Sequence, residues 1–577
     1  MMLTGAQALV RGLAAERISF AFGVVGGKLA PLLHAIEREQ SIRYVGVRHE
    51  SSAALMAAAV YAGSGRMAVA LGEMGPGGLN LASGAGTAFN NNLAVLLITT
   101  NQHRAASYPH SGMFMDLDTL AVFKPLTKWN AVVNDPRRMP ELVRRAFREA
   151  LSGRPGPVHL DIPQDVLAAQ CTFRDDEFDL APERYRPAGG PRGNAREIAA
   201  AADLLRRARR PLLIAGGGVV VSGAERRLRE LAEILQSPVI ATQMGLGVVP
   251  TDDPHFIGHG GIIGGDAVHE AFARADVILA VGCRFSSWMW DRLGPLARRH
   301  HRLIAVNIDP AALGSPALHE IAVQADADLA MADLLAELQR SMSLAVDPDW
   351  LPGLRRARSA YTDKLDRMAR ETSAPMHPAA LGKAIAAALP RDAIVVYDGG
   401  HTTFWSNDLT PAYEVRTRFH DPGMSQLGFG LPYALSLQLQ HPERPVINIT
   451  GDGAFGFTLQ ELDTARRYRL PVVTIIHNNA AWGIIRAGQR AQYGFELGTS
   501  LDGADYAAVA RSFGCLGEVV AEPNELKPAL QRALASGLPS VIDCATCFVP
   551  HPCLPAFGQM NQYGFDALTD QAPVGGS

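Results

Sequence analysis

Residues 446–483 read VINITGDGAFGFTLQELDTARRYRLPVVTIIHNNAAWG. An apolar run at 446–450 predicts a strand that ends in Gly451-Asp452-Gly453, where small residues let backbone amides approach a phosphate closely. Thr458 and Glu461 have the spacing of a helix-capping box, and Leu459, Leu462 and Ala465 then recur on one helical face. A second strand at 472–476 ends at Asn478-Asn479. In a parallel strand–helix–strand unit both strand ends open on the same edge of the sheet, the edge where open α/β sheets bind ligands. That brings the Asp452 carboxylate and the Asn479 amide oxygen together although they are 27 positions apart. Oxygen ligands, no sulfur and nearby glycine amides suit Mg²⁺ carrying a diphosphate. Taken alone, Asp452 reads as an ordinary turn aspartate.

The totals narrow the field. A chain of 577 residues has length for three or four domains with large cores. Hydrophobic residues make 47% and charged residues 19%, an ordinary globular balance. A net charge of −3 leaves no electrostatic footprint for nucleic acid or an anionic membrane. The first twenty residues predict an amphipathic helix too polar for a signal peptide, and no apolar run long enough to span a bilayer follows. Six cysteines fit reduced thiols and a cytoplasmic protein. Cys544, Cys547, His551 and Cys553 mimic a zinc-site spacing, but Cys544 ends an apolar strand and no second knuckle exists, so strand-end cysteines are the better reading.

Upstream, helix and strand alternate regularly. Strands at 18–24, 44–49, 67–71, 94–100 and 158–162 are each followed by a turn or helix start, which predicts a doubly wound parallel sheet. The first ends in Val25-Gly26-Gly27-Lys28, the third in Gly72-Glu73-Met74-Gly75. The second ends at Glu50, directly before an alanine-rich helix, which implies a partly buried carboxylate. Burial raises a carboxyl pKa and lets it share a proton with a ring nitrogen; in isolation the same residue reads as a first-turn glutamate. Residues 168–195 and 345–375 are polar and proline-bearing and read as linkers. Between them a second α/β unit carries Gly216-Gly217-Gly218, which lacks the GxGxxG spacing. The third unit opens with a strand at 393–397 ending in Asp398-Gly399-Gly400-His401-Thr402, suited to the other side of a diphosphate. His401 follows that glycine turn and is the best histidine candidate for chemistry. His103 and His110 read more simply as surface or structural groups.

The set GDG, a 24-residue interval and NN resembles the signature of thiamine-diphosphate enzymes. RHESSAA at 48–54 looks like the element whose glutamate bonds the cofactor's pyrimidine nitrogen in that family. The whole order resembles the acetohydroxyacid synthase and pyruvate oxidase group, with 2-hydroxyacyl-CoA lyases as relatives. The resemblance implies three doubly wound parallel-sheet α/β domains: a pyrimidine-binding domain at 1–166, a central domain at 196–345, and a diphosphate- and Mg²⁺-binding domain at 376–550. A tail at 551–577 would serve as a lid. It implies that Glu50 assists proton transfer on the aminopyrimidine and that Leu427 wedges between the cofactor's rings. Gly399, Gly400, His401, Thr402, Gly451, Asp452, Gly453 and Ala454 would surround the cofactor, and Asp452, Asn479 and the carbonyl of Ala481 would hold Mg²⁺. Glu50 and Asp452 of one site would come from different subunits of a homodimer or homotetramer. In this group the central domain holds FAD, ADP or nothing, and Arg284 stands where a nucleotide-contacting arginine would.

Substrate choice is less legible. The resemblance implies a lyase or carboligase acting on a 2-oxo acid or related 2-oxo compound. Gly26, Lys28, His110, Met115, Trp482 and Ile484 are the candidates for contacting it. The tryptophan that selects the second 2-oxo acid in acetohydroxyacid synthases aligns with Gly488, and a first-domain glutamine of theirs with Met115. Both departures weaken the case for branched-chain amino-acid synthesis. The asparagines at 90–92 are placed either at the cleft or at a solvated helix end. A 2-hydroxyacyl-CoA lyase is the alternative, though residues 548–577 contain no lysine or arginine to meet CoA phosphates. A cyclic 1,2-diketone hydrolase is a further alternative. A non-catalytic regulatory subunit is opposed by the intact set Glu50, Asp452 and Asn479.

Overall fold

The computed structural model describes residues 1–552 except 108, 262, 287, 290–300, 315–317, 341–342 and 372, and not the side chains of 402 and 403. The proposed lid beyond 552, Cys553 and the Thr402 side chain therefore lie outside the described residues. Apolar strands with no alternation demand cover on both faces, and the chain builds three six-stranded all-parallel sheets flanked by helices. The expected α/β class is what forms. In the first sheet the spatial order is Arg43–Gly46, Phe20–Gly23, Val69–Gly72, Leu96–Asn101, Val158–Pro163, Trp129–Val132. In the third it is Arg418–Phe419, Ile394–Asp398, Val446–Gly451, Val473–Asn478, Ser540–Ala545, Leu516–Val520. Numbered along the chain, both sheets run 2-1-3-4-6-5.

The middle sheet differs. Its order is Phe256–His259, Val239–Ala241, Pro211–Ala215, Val277–Val281, Arg302–Asn307, Ile321–Gln324, or 3-2-1-4-5-6. That is the order of doubly wound dinucleotide-binding sheets. In each sheet the chain reverses direction between its first strand and the strand that crosses over beside it. The glycine turns of the sequence gather at those reversal points.

Three local expectations need correction. Residues 345–375 are not a linker throughout, because Trp350–Ala369 is a helix with Trp350, Leu351, Leu354, Tyr361 and Leu365 buried. Pro352 is tolerated because it lies in the first turn, where no amide donor is needed. Within 168–195, Gln170–Thr172 pairs antiparallel with Met2–Thr4. The capping box at Thr458 and Glu461 does not form. The helix there begins at Glu461 with no side-chain cap, and the Thr458 hydroxyl donates instead to the Gly428 carbonyl at 2.8 Å.

The helix Glu50–Ser64 is buried on all sides, with only Ala62 and Ser64 outside the buried set. Its small residues allow close approach on two flanks. A Cβ on Gly84 would lie 2.7 Å from both the Ala54 Cβ and the Ser51 carbonyl oxygen. On the other flank lies the helix Gly430–Gln440 of the third domain, with Ser436 Oγ donating to the Met56 carbonyl at 2.7 Å and Gln440 to that of Ala59 at 3.2 Å. Gly84→Ala therefore overpacks a contact between fixed backbones and is expected to cost about 1–3 kcal/mol. A lowered urea midpoint checks this, and an unchanged midpoint would show that the two helices separate freely. Among the described residues no helix is long and apolar enough to cross a membrane.

Candidate active site

The strands Ile394–Asp398 and Val446–Gly451 are neighbours at the reversal point of the third sheet. A cavity opens at their C-terminal ends, lined by Gly399, Leu427, Asp452, Asn479 and Trp482, with Trp288 from the central domain. Gly399 has φ +93°, a left-handed conformation that favours glycine. A Cβ on Gly453 would meet the Trp482 ring at 2.5 Å, so the indole occupies the space that a larger residue would need.

Asp452 opens a one-turn helix and is 3% exposed. Its Oδ1 accepts the Gly453 amide at 2.9 Å and its Oδ2 the Ala481 amide at 3.2 Å. Burial pushes its carboxyl up to about 6, with those backbone amides pulling the other way. Of the Asn-Asn pair, Asn478 is committed to Asp543 and the Ala504 carbonyl, whereas the buried Asn479 Oδ1 has no partner among the described residues. A desolvated carboxylate surrounded by neutral donors, on the same wall as an amide oxygen with no donor, is the electrostatic complement of a hard cation. The donor set thus fits Mg²⁺ on a diphosphate.

The Asp398 carboxylate sits at the bottom of the turn that carries Leu427. It accepts the amides of Gly428 at 3.3 Å and Gly430 at 3.0 Å, and burial pushes it up to about 7. Together with φ +54° at Ser425 and +83° at Gly428, these bonds fix Leu427 at the cavity wall. The sequence reading did not single out Asp398, although a carboxylate at a strand end before two glycines was the available signal. Gly400 begins the helix Gly400–Leu409, and a Cβ there would meet Ile484 at 2.9 Å. His401 donates from Nε2 to the Val549 carbonyl at 2.5 Å, an oxygen that also receives the Trp405 indole N–H at 3.2 Å. Burial pushes His401 down to about 4. It is a neutral imidazole whose buried Nδ1 has no partner among the described residues.

The first-domain candidates form a separate group. Glu50 is 8% exposed, and its Oε2 accepts the Asn80 amide at 2.9 Å. A Cβ on Gly26 would collide with the Glu73 carboxylate, which accepts the backbone amides of Lys28 and Leu29 at 3.0–3.1 Å. His110 Nδ1 lies 2.5 Å from Asp116 Oδ1, which closes a loop where Met115 has φ +61°; His103 is exposed. None of Gly26, Lys28, Glu50, His110 and Met115 lines the cavity of Asp452 in the same chain. The asparagines at 90–92 line a different cavity, that of the central domain.

That second cavity lies at the reversal point of the middle sheet, against Gly217, Gly218, Gly282, Arg284 and Asn307. A Cβ on Gly218 would lie 2.6 Å from the Gly282 Cα, so the two turns touch. Burial, with Arg154 adding to it, pulls the Arg284 guanidinium below its ordinary value. Arg154, Arg284, Arg416 and Arg418 line the cleft against Asp309 and Asp326, with Arg154 3.3 Å from Asp309, and this excess of guanidinium charge favours an anionic occupant.

Comparison with known proteins agrees with this layout. Residues 3–122 match the N-terminal TPP binding domain of thiamine pyrophosphate enzymes, 198–334 their central domain, and 398–544 their C-terminal TPP binding domain. The chain is 31% identical over 554 residues to the probable acetolactate synthase large subunit of Methanocaldococcus jannaschii, covering 94% of this chain and 91% of that protein. It is 32% identical over 552 residues to the acetolactate synthase large subunit of Parasynechococcus marenigrum, with 94% and 87% covered. The large subunit of Corynebacterium glutamicum is 30% identical over 553 residues, with 94% and 86% covered.

Proposed function

The chain belongs to the thiamine-diphosphate-dependent, acetolactate synthase-like enzymes, and from that premise we propose that it is a Mg²⁺-assisted lyase or carboligase acting on a 2-oxo acid or related 2-oxo compound. The observation that carries this reading is the cavity where Gly399, Leu427, Asp452 and Asn479 meet, with an Asn479 oxygen that has no partner among the described residues. Thiamine diphosphate, when bound, supplies a carbon nucleophile and an electron sink for breaking the bond next to a carbonyl. The protein supplies position and proton handling. Asp452, Asn479 and the Ala481 carbonyl would hold Mg²⁺ on the diphosphate, and the glycine turns at 399–400 and 451–453 would let backbone amides approach it. Leu427, fixed through Asp398, sets the shape of the bound cofactor. Glu50 exchanges a proton with the pyrimidine ring nitrogen.

Glu50 lies outside the Asp452 cavity of its own chain. This supports a site shared between two copies, with Gly26, Lys28, His110 and Met115 brought up beside Glu50 to meet the substrate. The neutral His401, whose Nδ1 has no partner among the described residues, serves as a hydrogen-bond acceptor at the opposite wall, near Trp482 and Ile484. The test is a mass-spectrometric screen of protein loaded with thiamine diphosphate and Mg²⁺ against 2-oxo acids, 1,2-diketones and 2-hydroxyacyl-CoAs, each paired with aldehydes. Consumption of a 2-oxo acid is expected. Turnover confined to a CoA ester or a diketone would replace this reading.

The central cavity supports a second cofactor. The 3-2-1-4-5-6 order, the touching glycine turns and the excess of arginines over carboxylates suit an adenine nucleotide, either FAD or ADP. The absorbance spectrum of the purified protein, with chromatography of the heat-released supernatant, distinguishes the two. A supernatant with neither, from protein that also fails to bind added nucleotide, would reject the assignment.

A further inference from the structure

Glu461, which forms no helix cap with Thr458, reaches the turn that presents Glu50. That turn, between the strand Arg43–Gly46 and the helix Glu50–Ser64, is held by the third domain of its own chain. The Gly46 amide donates to the Tyr468 hydroxyl at 2.7 Å, and Arg467 donates to the Gly46 carbonyl at 2.7 Å. The Arg48 amide donates to both oxygens of Glu461, at 3.1 and 3.2 Å. All three partners lie on one helix, Glu461–Tyr468. On the other side of Glu50, the Ser51 hydroxyl accepts from Gln426 at 3.0 Å, and the Gln426 oxygen accepts from Thr87 at 2.8 Å. Gln426 immediately precedes Leu427.

Glu461 is fully buried. A carboxylate in the interior is costly unless its lone pairs are used, and a neutral residue of the same volume packs as well. Burial raises its carboxyl, against the Thr464 hydroxyl at 2.6 Å and the Arg48 amide. The charged groups around it are Arg467, which reaches Thr464, and the Arg48 and Asp463 side chains paired at 3.6 Å. What the carboxylate adds over an apolar residue is a rigid two-oxygen acceptor for one backbone amide. That amide is two residues before Glu50. The same helix follows the Gly451-Asp452-Gly453 turn within a single short stretch of chain, so one segment carries the diphosphate turn and grips the glutamate's support.

We propose that Glu461 is a positioning residue, whose carboxylate fixes the 46–50 turn and so sets where the Glu50 carboxylate meets the cofactor's pyrimidine ring. The inference rests on the reading of Glu50 given above. It is tested on full-length protein saturated with thiamine diphosphate and Mg²⁺, by following proton–deuterium exchange at the cofactor's thiazolium C2 alongside the cofactor dissociation constant. Glu461→Gln keeps the size but turns one acceptor into a donor facing the Arg48 amide or Thr464. Exchange is expected to slow about tenfold to a hundredfold, the scale of a misplaced reacting group, with cofactor affinity within about threefold. Exchange at the wild-type rate would overturn the proposal, as would weakened affinity with unchanged exchange in the saturated protein, since that is a purely structural role. Should Glu461→Gln not fold, Tyr468→Phe removes the acceptor for the Gly46 amide and keeps the ring. It is expected to slow exchange by about threefold or more on the same argument, and no slowing would overturn the proposal. Glu50→Gln in the same assay separates the two ideas. If it leaves exchange intact, the reading of Glu50 fails and the inference with it. If it stops exchange while Glu461→Gln does not, the positioning role alone fails.

Discussion

Replacing Glu50 with glutamine is expected to lower turnover about 10²- to 10⁴-fold, the range for loss of a positioned proton-transfer group, while thiamine diphosphate stays bound. The substitution is close to isosteric. The helix beginning at residue 50 is buried nearly throughout, and the Asn80 contact to Oε2 at 2.9 Å can be kept by the glutamine oxygen. What disappears is the ability to exchange a proton with a ring nitrogen at the cofactor's pyrimidine. The fall should therefore be in kcat and in C2 exchange, with little change in cofactor affinity or thermal midpoint. Steady-state kinetics with the substrate found in the screen, together with a cofactor titration, would show it. Undiminished kcat would remove Glu50 from the chemistry.

The second large effect is at the opposite end of the cofactor. Asp452→Ala is expected to abolish Mg²⁺-dependent retention of thiamine diphosphate, weakening binding by roughly a hundredfold or more, since stripping one partner from a buried ionic contact costs about 3–5 kcal/mol. Asp452 is the only carboxylate among the proposed ligands, and Asn479 and the Ala481 carbonyl are neutral. Without Asp452 the Mg²⁺ that bridges to the diphosphate would lose the one charged group among its proposed protein ligands. Gel filtration followed by assay of retained cofactor, with and without chelator, measures this. Retention equal to the wild type would contradict the ligand assignment.

The same carboxylate predicts a pH dependence. Burial in the metal-free protein pushes Asp452 up to about 6. Below that value Mg²⁺ must displace a proton, so apparent affinity should fall roughly tenfold per pH unit. Above it, affinity should be flat. The sign is that of any carboxylate ligand, but the break lies about two pH units higher than for an exposed aspartate, which ionises at about pH 4. A metal titration across pH 5–8 at constant ionic strength reads the break.

Much of the molecule was legible along the chain because parallel strands buried on both faces are written as contiguous apolar runs, and their turns as glycines. Those two signals located most strands of the three sheets, and the Gly-Asp-Gly turn and the Asn-Asn pair by position. Strands that are short or mixed in polarity, such as Trp129–Val132 and Leu516–Val520, lacked the apolar run and were missed. Two prolines and many charges hid the helix Trp350–Ala369, because its buried face is spread over twenty residues.

The site divides along the same line. Asp452 and Asn479 sit at the ends of adjacent strands, so chain order and the geometry of a parallel pair suffice to bring them together. Glu461 shows where that stops. Its spacing from Thr458 satisfied the local rule for a helix cap, and local chemistry offered nothing better. In the folded chain both side chains turn away, Thr458 to the Gly428 carbonyl and Glu461 to the Arg48 amide 413 positions upstream. A buried carboxylate takes whichever donors the packed interior leaves without water, and here those donors belong to another domain. The sequence alone determined the fold class and which residues end the strands, since periodicity and strand-end chemistry are local, and the resemblance of its Gly-Asp-Gly and Asn-Asn elements to a known signature supplied the cofactor family. The family resemblance already implied that Glu50 and Asp452 of one chain serve different sites, whereas only the tertiary structure decided that Asp398 supports Leu427 and that Glu461 grips the Glu50 turn. Each of those depends on which surfaces are buried against one another, a property of packed domains that no run of neighbouring residues encodes.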